Sequence, residues 1–148
     1  MRVFHPALMA ILLLTACGHS SLSHKFIMEP QGWDKFKTLT FSEDKFNNEK
    51  PYKISLNLVL NEKYREDNFT FQMIYESGEG ESWNRAFTVE IKEEDKFIVR
   101  PEGGKMLYSK VLIPEKYLNA GSYNFEIVNL NPRIITAGIE SLEIVFEQ

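Results

Sequence analysis

The side chains able to act as nucleophiles, proton shuttles or soft metal ligands are crowded into the start of this 148-residue chain. Its one cysteine is Cys17, and its three histidines are His5, His19 and His24. From residue 25 onward there is neither imidazole nor thiol. Ser-His-Asp and Cys-His machinery both need an imidazole to take the proton, and the usual zinc sites need Cys or His. Carboxylates remain, in two clusters: Glu76, Glu79 and Glu81 around a glycine-bearing loop, and Glu93, Glu94 and Asp95 in a second turn. Two facing carboxylates suffice for glycoside hydrolysis. Neither cluster has the D-x-D-x-D-G spacing of a calcium loop, however, and charges in turns are ordinarily solvated. The expectation is a protein that is not an enzyme and holds no metal.

Aromatic residues make up 13% of the chain. Trp33, Tyr64, Trp83 and Tyr117 fall near expected strand ends or loops. A sugar-binding sandwich places stacking platforms there, while a β core consumes the same residue types. Arg133, beside Pro132 in a late loop, is the residue that does not read as packing. It suits a carboxylate of a neighbouring loop or a contact with a partner. The candidate contact residues are therefore Trp33, Tyr64, Trp83 and Arg133.

Cys17 has a different chemistry. It ends Leu14-Thr15-Ala16-Cys17, directly after an apolar run, and this tetrapeptide resembles the lipobox of bacterial lipoproteins. Arg2 supplies the positive start, residues 3–14 the hydrophobic stretch, and small residues precede the cut, which is the order of a secretory signal. His5 and Pro6 interrupt the apolar run, which falls short of the ~20 residues that a membrane-spanning helix needs. The resemblance implies a signal peptide over residues 1–16, cleavage before Cys17, lipid on its sulfur and acylation of the new amino terminus. Each buried methylene contributes about 0.8 kcal/mol and two or more chains anchor stably, so the lipid alone would hold the protein on a membrane. Residues 17–25 then read as a small, polar tether and 26–148 as a single domain. No cofactor is implied beyond the covalent lipid on Cys17.

Loss of the signal leaves 132 residues, with 16 basic against 21 acidic side chains scattered along them. No basic cluster is long enough to track phosphates, so nucleic acid is not an expected partner. A disulfide within the domain is impossible, and the core must carry its stability.

The elements that position these residues are strands. In Tyr52-Lys53-Ile54-Ser55-Leu56-Asn57-Leu58-Val59-Leu60 the even positions are all apolar, the mark of a strand with one face on a core. Phe69, Phe71, Met73 and Tyr75 repeat the pattern, as do Phe87, Val89 and Ile91, then Leu107, Val111 and Ile113 up to Pro114. Tyr123, Phe125 and Ile127, and finally Leu142, Ile144 and Phe146, complete the series, with shorter candidates at 26–28 and 39–41. No window carries a helical apolar stripe, and 114–119 has room for one turn at most. About eight short strands with one-sided alternation predict an all-β fold, an antiparallel, jelly-roll-like β-sandwich with little or no helix.

One family fits this pattern. Gly121-Ser122-Tyr123-Asn124-Phe125-Glu126-Ile127, the loop containing Arg133, Gly138-Ile139 and the closing Ile144-Val145-Phe146-Glu147 resemble the GldH gliding-motility lipoproteins of Bacteroidota. The lipobox, Pro30-Gln31-Gly32-Trp33 and the Tyr52-Lys53-Ile54 strand fit the same plan. Pro101-Glu102-Gly103-Gly104-Lys105 lacks a tryptophan that members tend to carry, and Pro132-Arg133 stands where a methionine-arginine pair is common. The resemblance implies a non-catalytic scaffold subunit of the gliding-motility apparatus, linked to type IX secretion. Its partners would be the membrane and other envelope or motility proteins. In that phylum surface export resembles a rule requiring acidic residues after the lipidated cysteine. Residues 18–25 contain none, which implies a periplasm-facing domain on the outer or inner membrane. A lipid-anchored glycan-binding module is the alternative reading.

Overall fold

The computed structural model describes residues 20–93, 96–97, 100–103 and 105–148. Residues 1–16, expected as a signal peptide, and Cys17, His19, Glu94 and Asp95 lie outside the described residues, as does His5. Thirteen strands follow in order: β1 (Ser21–Ile27), β2 (Trp33–Asp34), β3 (Leu39–Phe46), β4 (Tyr52–Leu60), β5 (Asn68–Ser77), β6 (Ser82–Glu90), β7 (Lys92–Glu93), β8 (Lys96–Phe97), β9 (Arg100–Glu102), β10 (Lys105–Lys116), β11 (Gly121–Asn129), β12 (Ile135–Thr136) and β13 (Ile139–Glu147). There is no helix among the described residues.

Eight of these strands are long, and they pair as nested antiparallel hairpins. The first pairs with the last (β1 with β13), the second with the seventh (β3 with β11), the third with the sixth (β4 with β10), and the middle two with each other (β5 with β6). This nesting produces one sheet of order β1-β13-β4-β10-β9 and a second of order β3-β11-β5-β6. Such connectivity is that of a jelly roll. The alternation in the sequence sets the faces. Tyr52, Ile54, Leu56, Leu58 and Leu60 of β4 are buried, as are Phe69, Phe71, Met73 and Tyr75 of β5 and Leu142, Ile144 and Phe146 of β13.

Aromatic rings join the sheets. Phe125 of β11 lies 4.6 Å from Phe41 and 5.4 Å from Phe146 of the opposite sheet. The Phe46 ring meets Tyr52, Tyr123 and Phe146 edge-on at 5.0–5.3 Å. These stacked, tilted and edge contacts add to a burial worth about 1.5–3 kcal/mol per large side chain.

Three local expectations change. The chain enters the first sheet at Ser21, not at residue 26, because Leu22, His24 and Phe26 alternate inward and pair opposite Phe146, Ile144 and Leu142. His24 therefore belongs to the folded body: it stacks on Phe41 at 4.1 Å, and its Nε2 lies 3.0 Å from Glu43 Oε2. Strand β10 does not stop at Pro114 but runs to Lys116, since register shifts after Val111 and after Ile113 leave the proline without a ladder bond to donate. The same irregularity flips the pattern, so that Tyr108 and Ile113 are buried while Val111 faces out.

Because strands run up and down, the sandwich has two ends. Ser20, Gln148 and the loops 47–51, 78–81 and 117–120 gather at one, here called proximal. The loops 28–38, 61–67 and 130–138 gather at the other, the distal end.

Candidate functional site

Three of the four residues singled out in the sequence, Trp33, Tyr64 and Arg133, converge on the distal end. Trp33 and Tyr64 are each 1% exposed, so neither offers a face to a sugar. They are buried because each is a polar-tipped ring that closes its own loop. Trp33 Nε1 donates to Lys37 O at 2.7 Å, and Tyr64 Oη donates to Asn68 O at 2.6 Å. Burial, with the negative charges of Glu66 and Asp67 nearby, pushes the Tyr64 phenol far above its ordinary value, and it stays a neutral donor.

Around these rings runs a buried amide network that sequence reading did not anticipate. Asn129 Nδ2 donates to Thr136 Oγ1 at 3.1 Å and to Trp33 O at 3.3 Å. Its Oδ1 accepts from the Asn131 backbone N at 2.9 Å and from Asn131 Nδ2 at 2.8 Å. Asn131 Oδ1 in turn accepts from Thr70 N at 3.0 Å. Strands β2, β5, β11 and β12 are thereby tied at one point. Asn-Leu-Asn before Pro132 was the only sequence signal for it, and polar residues in a loop ordinarily read as solvated.

Two glycines allow the loops to close. A Cβ on Gly32 (φ +114°) would lie 2.2 Å from Thr136 O, and one on Gly138 (φ +84°) 2.1 Å from Tyr64 N. Both positions combine positive φ with backbone contact, which only glycine tolerates. Arg133 Nε pairs with Glu66, linking loop 130–138 to loop 61–67. Of Arg133's two sequence readings, the structure shows the intramolecular carboxylate partner.

Among the charged side chains that this end exposes, such as Glu29, Lys37 and Arg133, stand several large apolar ones. Lys35 N donates to Ile134 O at 2.7 Å, so Phe36 and Ile134 are carried on facing loops. Phe36 is 80% exposed, Ile134 64% and Ile27 74%. Of the six large apolar residues exposed among the described residues, four (Ile27, Phe36, Leu130 and Ile134) lie at this end. Single exposed apolar residues are ordinary, whereas a cluster on a rigid support marks an interaction surface. Nothing in the alternation pattern flags Phe36: it sits between Lys35 and Lys37 in a turn, without a strand register to betray its orientation.

On the outer face of the first sheet, at the same end, an open groove of about 740 Å³ is lined by Ile27, Val59 and Leu107 together with Asn61, Lys105 and Glu140. Lys105 Nζ lies 2.6 Å from Glu140 Oε2, and Asn61 Nδ2 donates to Oε1 at 3.0 Å. The Lys105 bond, then the Asn61 bond, hold the Glu140 carboxyl below the ordinary carboxylate range. With both oxygens occupied and the charge stabilised, Glu140 is poorly placed to deliver a proton.

Trp83 lies elsewhere. It is half-buried near the proximal end of β6, stacked on Tyr75 at 5.3 Å, with Lys116 Nζ 5.2 Å from its ring centre. Glu81, from the first acidic cluster, accepts from Tyr75 Oη at 2.7 Å. Among the described residues no group of three His, Cys, Asp or Glu is placed to hold a metal ion. Every buried side-chain N or O atom described has a hydrogen-bond partner. No protein-family model matches this chain, and no curated protein matches it in sequence.

Proposed function

We propose that this protein is a non-catalytic lipoprotein, anchored through Cys17, that scaffolds an envelope assembly by docking a partner on its distal end. The single observation that carries the reading is the exposure of Phe36, Ile134 and Leu130, all large and apolar, on loops of one end of the sandwich. Holding large apolar side chains in water on loops locked by Asn129 and Asn131 has no use inside the fold. The lipobox supports the anchor, and the resemblance to GldH lipoproteins supports the gliding-motility apparatus, linked to type IX secretion, as the assembly. Among the residues that carry this resemblance, Pro30 to Trp33, Arg133 and Gly138 lie in the distal loops. A periplasm-facing domain follows from the absence of acidic residues in 18–25.

The test is affinity capture from envelope extracts with the native chain and with a Phe36→Asp, Ile134→Asp chain. Motility or secretion components should accompany the first and be lost from the second. Their absence from the first refutes the scaffold reading. Glycan binding is a second reading, favoured by one observation, the half-exposed Trp83 stacked on Tyr75. Glycan-array binding abolished by Trp83→Ala in a folded protein supports it.

A further inference from the structure

The described chain begins on the body, and that fixes how the body can stand on a membrane. Ser20 Oγ donates to Gln148 Oε1 at 3.1 Å, and Gln148 N donates to Ser20 O at 3.2 Å. Gln148 Nε2 also donates to Asn47 Oδ1 at 2.8 Å and Lys50 O at 3.0 Å, so the carboxyl terminus knits Ser20 to loop 47–51. Only three peptide steps separate Ser20 from Cys17, a reach of at most about 11 Å. Strand β13, with nine residues, spans about 30 Å at ~3.4 Å each. An anchor at Cys17 therefore holds the proximal end against the lipid and cannot bring the distal end there while the sandwich stands upright.

We propose that the proximal end is a membrane-contacting surface, and that the protein stands end-on with Tyr117 in the headgroup layer. This rests on the lipid anchor proposed above. Tyr117 is the large apolar residue exposed at this end, at 66%, and tyrosine is suited to a layer that is apolar on one side and wet on the other. Lys50 is exposed at the same end for anionic headgroups, with Glu49 and Glu79 alongside, while the Lys116 ammonium is held over the Tyr75 and Trp83 rings. Lying on the β1–β3 edge instead would press the exposed Lys25, Asp44 and Lys45 and the His24–Glu43 pair against lipid, where Leu22 is turned to the core and the exposed Ile27 lies at the far end of β1. The end-on stance holds Phe36 and Ile134 about one strand length, ~30 Å, from the bilayer.

The test uses the full processed protein in vesicles of phosphatidylethanolamine and phosphatidylglycerol carrying a headgroup quencher. With the Cys17 sulfur carrying lipid, an introduced cysteine is the one free thiol, so a fluorophore is placed in turn at Asn48→Cys, Ala120→Cys and Thr38→Cys, all exposed positions. Quenching at 48 and 120 should exceed that at 38 several-fold, and Tyr117→Ser should reduce it at 120 while leaving 38 unchanged. Equal or reversed quenching in a chain shown by mass spectrometry to be acylated overturns the stance alone. An unacylated Cys17 overturns the anchor and the stance together.

Discussion

Replacing Asn129 by alanine tests whether the distal end is held by its buried amides. The side chain is 1% exposed, and its loss leaves two donors of Asn131, itself 1% exposed, without their acceptor. It also removes a donor from Thr136 Oγ1 and from Trp33 O. A buried donor left unsatisfied costs about 1–3 kcal/mol, so the two together cost about 2–6 kcal/mol, and about 1–3 kcal/mol if water enters to serve one of them. A domain of this kind has about 5–15 kcal/mol in all. Urea unfolding followed by tryptophan fluorescence reads the change. With a slope of about 2 kcal/mol per molar, the midpoint should fall by about 1–3 M with both donors stranded and by about 0.5–1.5 M with one, without a change of slope. Asn124, on the same strand but exposed and bonded to Ser42 Oγ, is the control; Asn124→Ala should cost no more than about 0.5 kcal/mol. A loss below about 1 kcal/mol for Asn129→Ala refutes the argument, because it means that the network can be abandoned and the apolar loops are not rigidly supported.

Gly138→Ala places a methyl group within 2.1 Å of the Tyr64 backbone at a positive φ, and should cost more than about 3 kcal/mol or abolish folding, read as soluble yield and melting temperature. Phe36→Asp with Ile134→Asp should change stability by no more than about 0.5 kcal/mol per site, since both side chains face water; a large loss in calorimetry means that they pack. Burial opposes ionisation of Glu43, yet bonds from His24 Nε2 and from the Lys45 and Asp44 amides outweigh it and hold its carboxyl below the ordinary value of 4.5. Its contribution is therefore complete above that value and is lost as pH falls through the lower folded-state value. Amide exchange of β1 should accelerate as the pH is lowered beneath the ordinary carboxylate value of 4.5, after correction for the intrinsic rate, and Glu43→Gln should remove most of that dependence.

The architecture was legible because one-sided alternation fixes both the strand and its buried face. The β4 run and the Phe69–Tyr75 row each needed only a register, and the nested pairing supplied it. Strand β1 was obscured by its composition: Ser21, Ser23 and His24 look like tether residues, and only pairing with β13 makes Leu22 and Phe26 the inward positions of a strand. Pro114 and Val111 misled because a bulge moves the period by one, which no local pattern reveals. For the distal end, the sequence marked Trp33, Tyr64 and Arg133 as unusual but not as neighbours. Their meeting depends on Gly32 and Gly138 letting backbones approach, and on amides whose partners lie up to 96 residues away. Phe36 escaped notice because exposure in a turn is set by tertiary contacts rather than by period.

Photo-cross-linking in the native envelope addresses the central claim most directly, with a reactive residue placed in turn at 36, 134 and 111. Positions 36 and 134 should capture the same envelope protein, and position 111, on the outer face of the first sheet, should capture none. Capture from 111 with silence at 36 and 134 would contradict the account, because the partner would then dock on the sheet face and the apolar distal loops would have no role.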